Sequence, residues 1–195
     1  ELDEDEMKIG LKKAMINHDL FPLFSLSAER NMGSGRLMGF IDNVCPSANE
    51  MPPQKTRKGD LLTCDANGPA CIFIYKTISE PHVGELSFFK VYSGVVKSGM
   101  ELENENTGVT EKISQLFLVE GNKRTSINEL VAGDIGATLK LRNTHVNNTL
   151  HIKGKNYDLP SIEFPPPNMT VAIETLKKGE EEKLSQALHQ LREED

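Results

Sequence analysis

Apolar residues near the start of the sequence recur at helical spacing. Met7, Leu11, Ala14 and Met15 stand at positions i, i+4, i+7 and i+8, which places them on one side of an α-helix. Acidic residues come before this pattern and lysines fall in its later part, in the order that the helix dipole favours. The pattern therefore predicts a helix over 5–17.

Two more elements are predicted before residue 50. The apolar run at 20–26, which Pro22 interrupts, is typical of a short buried strand. Apolar residues then return at helical spacing over 34–44, and Pro46 follows them, where a helix cannot continue. We therefore expect a strand at 20–26 and a second helix at 34–44.

From residue 70 onward the pattern changes to β. Stretches rich in β-branched and aromatic residues alternate with turn residues at short intervals, as in an antiparallel barrel or sandwich. Closure into a barrel would leave no exposed sheet edge. We therefore expect a mainly β fold, an antiparallel β-barrel flanked by incomplete α/β segments. The longer predicted strands are 71–78, 86–92, 112–119 and 135–141, and shorter ones are predicted near 95–96 and 100–102.

Proline-rich connectors lie on both sides of the β region. Residues 45–70 and 159–168 each contain several prolines, which hold a chain extended and often mark domain boundaries. After the second connector, 170–175 predicts a strand, and 180–194 predicts a helix with an apolar stripe. A single strand and a single helix cannot bury their apolar faces alone. We therefore expect the tail to be the start of a further domain.

Composition narrows the function classes. The 195 residues carry 22 Lys and Arg against 29 Asp and Glu, a net charge of −7, which argues against a generally basic nucleic-acid binder. The acidic excess is concentrated in 161–195, which leaves room for a local basic patch in the middle.

No apolar run reaches the ~20 residues that span a bilayer. Three cysteines without a CxxC pair predict free thiols in a reducing compartment, not a zinc site. We expect a cytoplasmic protein with no membrane partner and no metal.

Catalytic motifs are absent from the sequence. It contains no GxxxxGK[ST] phosphate loop and no GxGxxG or HExxH motif, and its five histidines show no metal-ligand spacing. The residues by themselves therefore predict a non-catalytic assembly with no catalytic residue.

Several segments carry a more specific pattern. Ser27 and Ala28 follow an apolar run and precede a helix, 80–94 and 131–137 lie in the β region, and a proline run at 164–167 leads into the tail. In this order the segments resemble translation elongation factor G, a ribosome-bound translational GTPase. The resemblance covers nearly the whole chain.

The resemblance implies an architecture and a function. The barrel would be of the Greek-key type found in the second domain of translation factors and would occupy 59–158. Residues 1–58 would be the end of the GTPase domain with a linker, and 159–195 the start of the third domain. The chain would belong to a ribosomal translocation GTPase whose barrel docks on the ribosome and relays the GTPase state.

Two departures from the family pattern keep alternatives open. Residues 146–150 differ from the run that usually follows the barrel's last full strand, and Leu26 stands where the family usually has Gly. A paralogue of the ribosomal-protection or recycling type therefore stays open. The residues alone also leave open a stand-alone protein-interaction β-barrel.

The resemblance implies GTP and Mg²⁺ as cofactors of the parent protein. Ser27 and Ala28 correspond to its last guanine-binding loop, in which the backbone N–H of the Ala faces the guanine O6. The P-loop, the switch regions and the Asn-Lys-x-Asp motif are all absent from these 195 residues. Without them nothing stabilises charge on a transferring phosphoryl group. We therefore expect that the chain itself has no cofactor and neither binds nor hydrolyses GTP measurably.

The family's second domain touches small-subunit ribosomal RNA, so the implied partners are that RNA and its proteins. The first candidates here are Lys123 and Arg124, predicted on the turn 121–124, because paired cations on a turn can reach phosphates. An ordinary solvated turn is the alternative. His82 and Lys90 are further candidates, and we expect the chain to be monomeric.

Overall fold

The computed structural model describes residues 3–80 and 84–194. Within them the chain forms three α-helices, a short 3₁₀ turn at Ala48–Glu50 and twelve β-strands. Two compact units are present, Glu1–Pro52 and Pro53–Asp195. The helices are α1 Glu4–Ile16, α2 Ser34–Val44 and α3 Glu181–Glu194; the strands are β1 Gln54–Lys55, β2 Leu61–Leu62, β3 Cys71–Glu80, β4 Gly84–Ser93, β5 Val95–Lys97, β6 Glu101–Asn104, β7 Thr110–Lys112, β8 Leu116–Glu120, β9 Lys123–Ile127, β10 Glu129–Val131, β11 Ile135–Leu139 and β12 Thr149–His151.

The first unit contains the two predicted helices. The Asp3 side chain accepts a hydrogen bond from the backbone N–H of Glu6 at 2.7 Å, and the Glu6 carboxylate accepts one from the N–H of Asp3 at 3.1 Å. This capping box satisfies two N–H groups that have no partner within the helix. Helix α1 begins and ends one residue before its predicted limits, and α2 has the predicted limits.

The predicted strand at 20–26 is wrong. These residues form no regular structure, and the side chains of Phe21 and Leu23 are 79% and 96% exposed. A strand needs a neighbour to pair its backbone groups. Within the described residues of the first unit the nearest pairing is an isolated bridge between Ser27 and Met32, so 20–26 lacks that neighbour.

The second unit is built around one antiparallel sheet of eight strands. Their order is β7–β6–β12–β3–β4–β11–β8–β9, and every neighbouring pair is antiparallel. Two smaller pairs, β1 with β2 and β5 with β10, accompany it. The prediction of a mainly β fold with antiparallel strands is therefore confirmed.

The sheet must curl on itself. Strands β7 and β8 lie six positions apart in the strand order, which is about 29 Å across a flat sheet. Only 113–115 join them along the chain, and four Cα steps reach at most about 14 Å. One carboxylate oxygen of Glu111, in β7, also accepts hydrogen bonds from the N–H groups of Arg142 and Asn143, just beyond β11, at 3.0 and 2.6 Å. We call this eight-stranded unit the curled sheet.

The curl explains a second correction. The sequence predicts one strand at 112–119, whereas the structure has β7 and β8 with a break at 113–115. The break is where the chain passes from one end of the strand order to near the other. The Thr138 hydroxyl donates a 2.7 Å hydrogen bond to the Gln115 carbonyl, which holds the break against β11.

The predicted tail strand is also wrong, whereas the tail helix is present. Residues 170–175 form no strand, and Val171 and Ile173 are more than half exposed. None of the described residues pairs with them, so the segment has apolar strand composition without a strand partner. Helix α3 begins one residue after its predicted start and ends where predicted.

The core lies on the inner face of the curled sheet. Alternate residues of β3 and β4 point inward, and Ile72, Ile74, Phe89 and Val91 are fully buried there with inward residues of neighbouring strands. Burying each of these side chains contributes roughly 1.5–3 kcal/mol of transfer free energy. The outward residues between them form a separate cluster that includes Cys71 and Phe73, and that outer face carries the candidate site.

Candidate functional site

Ser27 and Ala28 lie in a tight turn of the first unit. The backbone N–H and C=O of Ser27 pair with those of Met32 at 3.0 and 2.9 Å, and the N–H of Asn31 donates to the Ala28 carbonyl at 3.1 Å. The Ser27 hydroxyl accepts a 3.4 Å hydrogen bond from the N–H of Arg30. Ala28 itself is exposed. The local turn is thus present, although the strand predicted before it is not.

Lys123 and Arg124 are not on the turn itself, which corrects the predicted placement. The turn consists of Gly121 and Asn122, and Gly121 has a φ of +59°, the conformation required at the first position of a tight type II′ hairpin. Lys123 pairs with Glu120 and starts strand β9, the last strand in the sheet order. Lys123 is exposed and Arg124 is half-buried, so the two cations lie along a strand.

Lys90 lies on the outer face, near the middle of β4. Its Nζ is 5.2 Å from the centre of the Tyr92 ring, within the range of a cation–π interaction. It stands in one cross-strand row with Phe73 of β3 and Ile135 of β11. Two strands, β11 and β8, separate β4 from β9, so the structure does not gather the predicted cations into one cluster. His82 lies outside the described residues.

A cleft of about 380 Å³ lies beside Lys90. Outward side chains of β3 and β4 form its floor: Phe73, Tyr75, Lys90 and Tyr92. Gln54 and the segment 159–162 form its walls. Its volume is within the range of small-ligand sites. We call it the aromatic cleft.

Burial affects the tyrosines of the aromatic cleft. It raises the pKa of Tyr75, and it raises that of Tyr92 with a smaller contribution from Cys71. Both phenols are therefore neutral near pH 7, and each can donate and accept hydrogen bonds. The ring of Phe73 meets that of Tyr92 edge to face, with 6.3 Å between their centres, so the floor is a set of packed rings with polar ends.

The walls of the cleft are the chain segments that enter and leave the curled sheet. The backbone N–H of Arg57 donates to the Asp158 carbonyl at 2.7 Å, which joins the β1–β2 hairpin to the outgoing segment. The N–H of Ile162 donates to the Asn147 side chain at 2.6 Å, and that side chain donates back to the Ile162 carbonyl at 3.3 Å. Both walls are thus attached by named polar contacts.

An ionic cluster, Lys58–Glu105–His151, holds the hairpin to the sheet. The Glu105 carboxylate contacts Lys58 Nζ at 2.5 Å and His151 Nε2 at 2.8 Å. The other ring nitrogen of His151 lies 3.1 Å from the Ile152 carbonyl. Burial raises the pKa of Glu105, but the hydrogen bonds from Lys58 and His151 outweigh it, so that the pKa is lowered overall. The cluster therefore works with an ionised Glu105.

The described residues contain neither a metal-binding cluster nor a membrane-spanning helix. In 3–80 and 84–194, no three His, Cys, Asp or Glu side chains are grouped closely enough to hold a metal ion. Among the helices of the same residues, none is both long and apolar enough to cross a bilayer.

The sequence offers Lys90 as an RNA-contact candidate, which stays a prediction, but it does not point to the aromatic neighbours of Lys90. Residues 71–75 are apolar or aromatic without alternation, so their pattern does not tell the inner face from the outer. The available indication was in β4, where Lys90 and Tyr92 alternate with Phe89 and Val91. That alternation marks one face as polar and the other as core.

Comparisons with known proteins match most of the chain to one protein family. The family described as "Elongation factor G domain 2" matches residues 69–153, and the family described as "Elongation Factor G, domain III" matches residues 164–195. A solved protein from Thermus thermophilus superposes on 100% of the chain with a TM-score of 0.79 and 25% sequence identity. The chain covers 28% of the length of that protein.

Proposed function

From the premise that the chain belongs to the elongation factor G family, carrying that family's domain 2 and residues of its domain III, we propose that it acts in a ribosomal translocation GTPase. The curled sheet docks on small-subunit ribosomal RNA and relays the GTPase state of the factor. The factor works in the cytoplasm. These matches favour a translation factor over a stand-alone interaction domain.

One observation carries the docking proposal. Within the part that matches domain 2, Lys123 and Arg124 are adjacent on β9, the last strand of the sheet order. Adjacent side chains of a strand point to opposite faces, so the pair can contact RNA phosphates on two sides of one strand. Phosphate contacts by Lys and Arg supply most of the sequence-independent affinity for nucleic acids.

The docking proposal is tested by reversing both charges. Binding of the labelled 195-residue chain to purified small ribosomal subunits is measured at several salt concentrations. We expect Lys123→Glu with Arg124→Glu to weaken binding by tenfold or more and to reduce the slope of log affinity against log salt by about 1 to 2. Lys153→Glu with Lys155→Glu is the matched control, since both lysines are exposed on the same unit. Equal losses in the two variants, or none in either, would contradict docking through β9.

GTP and Mg²⁺ enter the proposal through the parent factor. Of the guanine-binding parts, this chain has the turn with exposed Ala28 after Ser27, and it has no phosphate loop in its sequence. The turn alone offers one backbone N–H to a base. We therefore expect no GTP binding to the chain at micromolar concentrations by calorimetry, with or without Mg²⁺. Low-micromolar binding would contradict this part of the proposal.

A further inference from the structure

We propose that the aromatic cleft receives an unpaired nucleotide of single-stranded RNA, with the base against the tyrosine rings and its phosphate at Lys90. This inference deepens the docking proposal and rests on it, since it names the RNA feature that the sheet recognises. The cleft combines three properties that such a ligand needs: a floor of aromatic rings, one cation, and neutral hydrogen-bonding groups among its lining residues.

The rings provide the surface for a base. Tyr75 and Tyr92 are partly exposed in the cleft, whereas Phe73, which also lines it, is almost fully buried. Aromatic side chains bind unpaired bases by stacking, and every base has a face that can stack. The edge-to-face contact with Phe73 packs against Tyr92, so the position of this ring is already restricted before a ligand enters.

The charge of the cleft selects an anion. Among its described lining residues Lys90 is the one charged side chain, and no carboxylate lines the site. Lys90 Nζ lies over one face of the Tyr92 ring, 5.2 Å from its centre. A base that stacks on this face takes the place of the ammonium, and the flexible lysine side chain then reaches the phosphate of the same nucleotide. A neutral aromatic side chain of a protein partner would contact the rings but would give Lys90 no anion to pair with. A nucleotide contacts the rings with its base and Lys90 with its phosphate.

The rim offers polar groups at short range. The Gln54 amide and the two phenols border the same space. The Ser161 hydroxyl does so too; it accepts a hydrogen bond from Arg57 and can still donate one. Amides and hydroxyls can pair with the edge of a base. A duplex keeps its bases stacked and paired, so its bases cannot enter. The walls belong to the segments that enter and leave the curled sheet, and an occupied cleft would therefore fix both segments at once. That provides a physical route from RNA contact to the neighbouring domains.

The test uses the 195-residue chain and a fluorescein-labelled RNA hexamer, with anisotropy measured over a salt series. Lys90→Gln should weaken binding severalfold and lower the salt slope by about 0.7, the value for one phosphate contact on a single strand. Lys112→Gln, an exposed lysine on β7, is the matched control and should bind as the unaltered chain does.

Two ring variants separate stacking from charge. Tyr92→Leu should weaken binding about tenfold, because a stacked base is lost, whereas Tyr92→Phe should bind within about twofold of the unaltered chain. Circular dichroism melting checks that each variant is folded. If Tyr92→Leu does not fold, hexamer binding by Lys90→Gln and by Lys112→Gln still tests the proposal, since Lys90 is not part of the core. Equal affinity of Lys90→Gln and Lys112→Gln would overturn the proposal.

Competitors identify the source of the ligand. Unlabelled single-stranded RNA should displace the hexamer, and an RNA duplex of equal length should compete at least tenfold less well. A mononucleotide that competes as well as the single strand would overturn the RNA assignment in favour of a free nucleotide. A neutral, phenylalanine-rich peptide that competes equally well, irrespective of Lys90→Gln, would overturn it in favour of a protein partner.

The outcome is distinguishable from that of the docking proposal. If the chain binds small subunits through Lys123 and Arg124 while Lys90→Gln has no effect on the hexamer, docking stands and the aromatic cleft is refuted. If the hexamer binds through Lys90 while small subunits do not bind, the nucleotide site stands and ribosome docking is refuted.

Discussion

The two faces of strands β3 and β4 are closed in different ways. On the inner face Ile74 and Phe89 are fully buried in one core cluster with apolar side chains from other strands of the second unit. On the outer face Tyr75 and Lys90 are partly open to solvent, and the cover is made of connecting segments attached by hydrogen bonds and ion pairs. One strand pair therefore supplies stability on one side and a site on the other, and substitutions on the two faces should separate these roles.

The largest effect is expected from the inner face. Phe89→Ala removes a fully buried ring and should lower the free energy of unfolding by about 3–5 kcal/mol. Ile135→Ala, on the outer face and 54% exposed, should cost less than about 1 kcal/mol. Urea unfolding monitored by tyrosine fluorescence measures the stability of both variants, since all three tyrosines of the chain lie in the second unit. Equal losses would show that the two faces contribute equally to the free energy of unfolding.

A slightly smaller effect is expected where the backbone leaves β4. Gly94 has a φ of +73°, and a Cβ there would lie 2.5 Å from the Ala70 backbone nitrogen. Gly94→Ala should therefore cost about 3 kcal/mol from clash and strain together. Gly99, with a φ of +84°, has open space around it, so Gly99→Ala should cost about 1 kcal/mol from strain alone. If the two losses are the same in urea unfolding, the close approach at Ala70 is not limiting.

The ionic cluster at the outer cover should give a smaller loss that depends on pH. The folded-state pKa of Glu105 is lowered, so its contribution to stability is present above the unfolded pKa of about 4.3 and is lost as pH falls through the folded value. Glu105→Gln should cost about 1–2 kcal/mol at pH 7, and the difference from the unaltered chain should shrink between about pH 5 and pH 3.

The control for this prediction is Glu129→Gln. The carboxylate of Glu129 is 55% exposed and 3.4 Å from Lys97, so its removal should cost under about 1 kcal/mol. Thermal or urea unfolding at half-unit pH steps measures both variants. A constant difference for Glu105→Gln across the pH range would show that its ionisation does not stabilise the hairpin.

The smallest effect on stability is expected at Lys90. Lys90→Gln keeps most of the side chain over Tyr92 and removes the charge, so the free energy of unfolding should change by no more than about 0.5 kcal/mol. Tyrosine-detected urea unfolding beside the Lys112→Gln control measures it. A loss above about 2 kcal/mol would show that Lys90 stabilises the fold, and would contradict the assignment of stability to the inner face and of the site to the outer face.

The helices could be predicted because their pattern is local. Spacing over 5–17 and 34–44 depends on residues within a few turns of each other, and α1 and α2 follow it to within one residue. The segments 20–26 and 170–175 have the composition of strands but stay unpaired in the structure. Strand formation needs a partner, and composition does not contain that information.

The errors within the sheet have the same origin. Ile113 and Leu116 are both fully buried, so 112–119 has the pattern of one apolar strand. In the structure β7 ends before Ile113 and pairs with β6, whereas β8 begins at Leu116 and pairs with β11 and β9. The turn is two residues shorter than predicted, because Gly121 and Asn122 are enough to close the hairpin. Lys123 and Arg124 therefore lie in strand β9. Lys90 was named from the sequence only as an RNA-contact candidate, which stays a prediction. Its place among aromatic rings follows from the pairing of β3 with β4, which the sequence does not state.

Strand β12 sets the order in which the curled sheet can be completed. It has three residues, Thr149–His151, yet it lies between β6 and β3 and pairs with both. Its partner Cys71 was added to the growing chain 80 positions before His151. During synthesis the β3–β4 and β6–β7 hairpins can form early, but they have no shared neighbour until β12 emerges. Contacts over such a long sequence separation form slowly, so the last three residues of the sheet decide when a nascent chain acquires its fold.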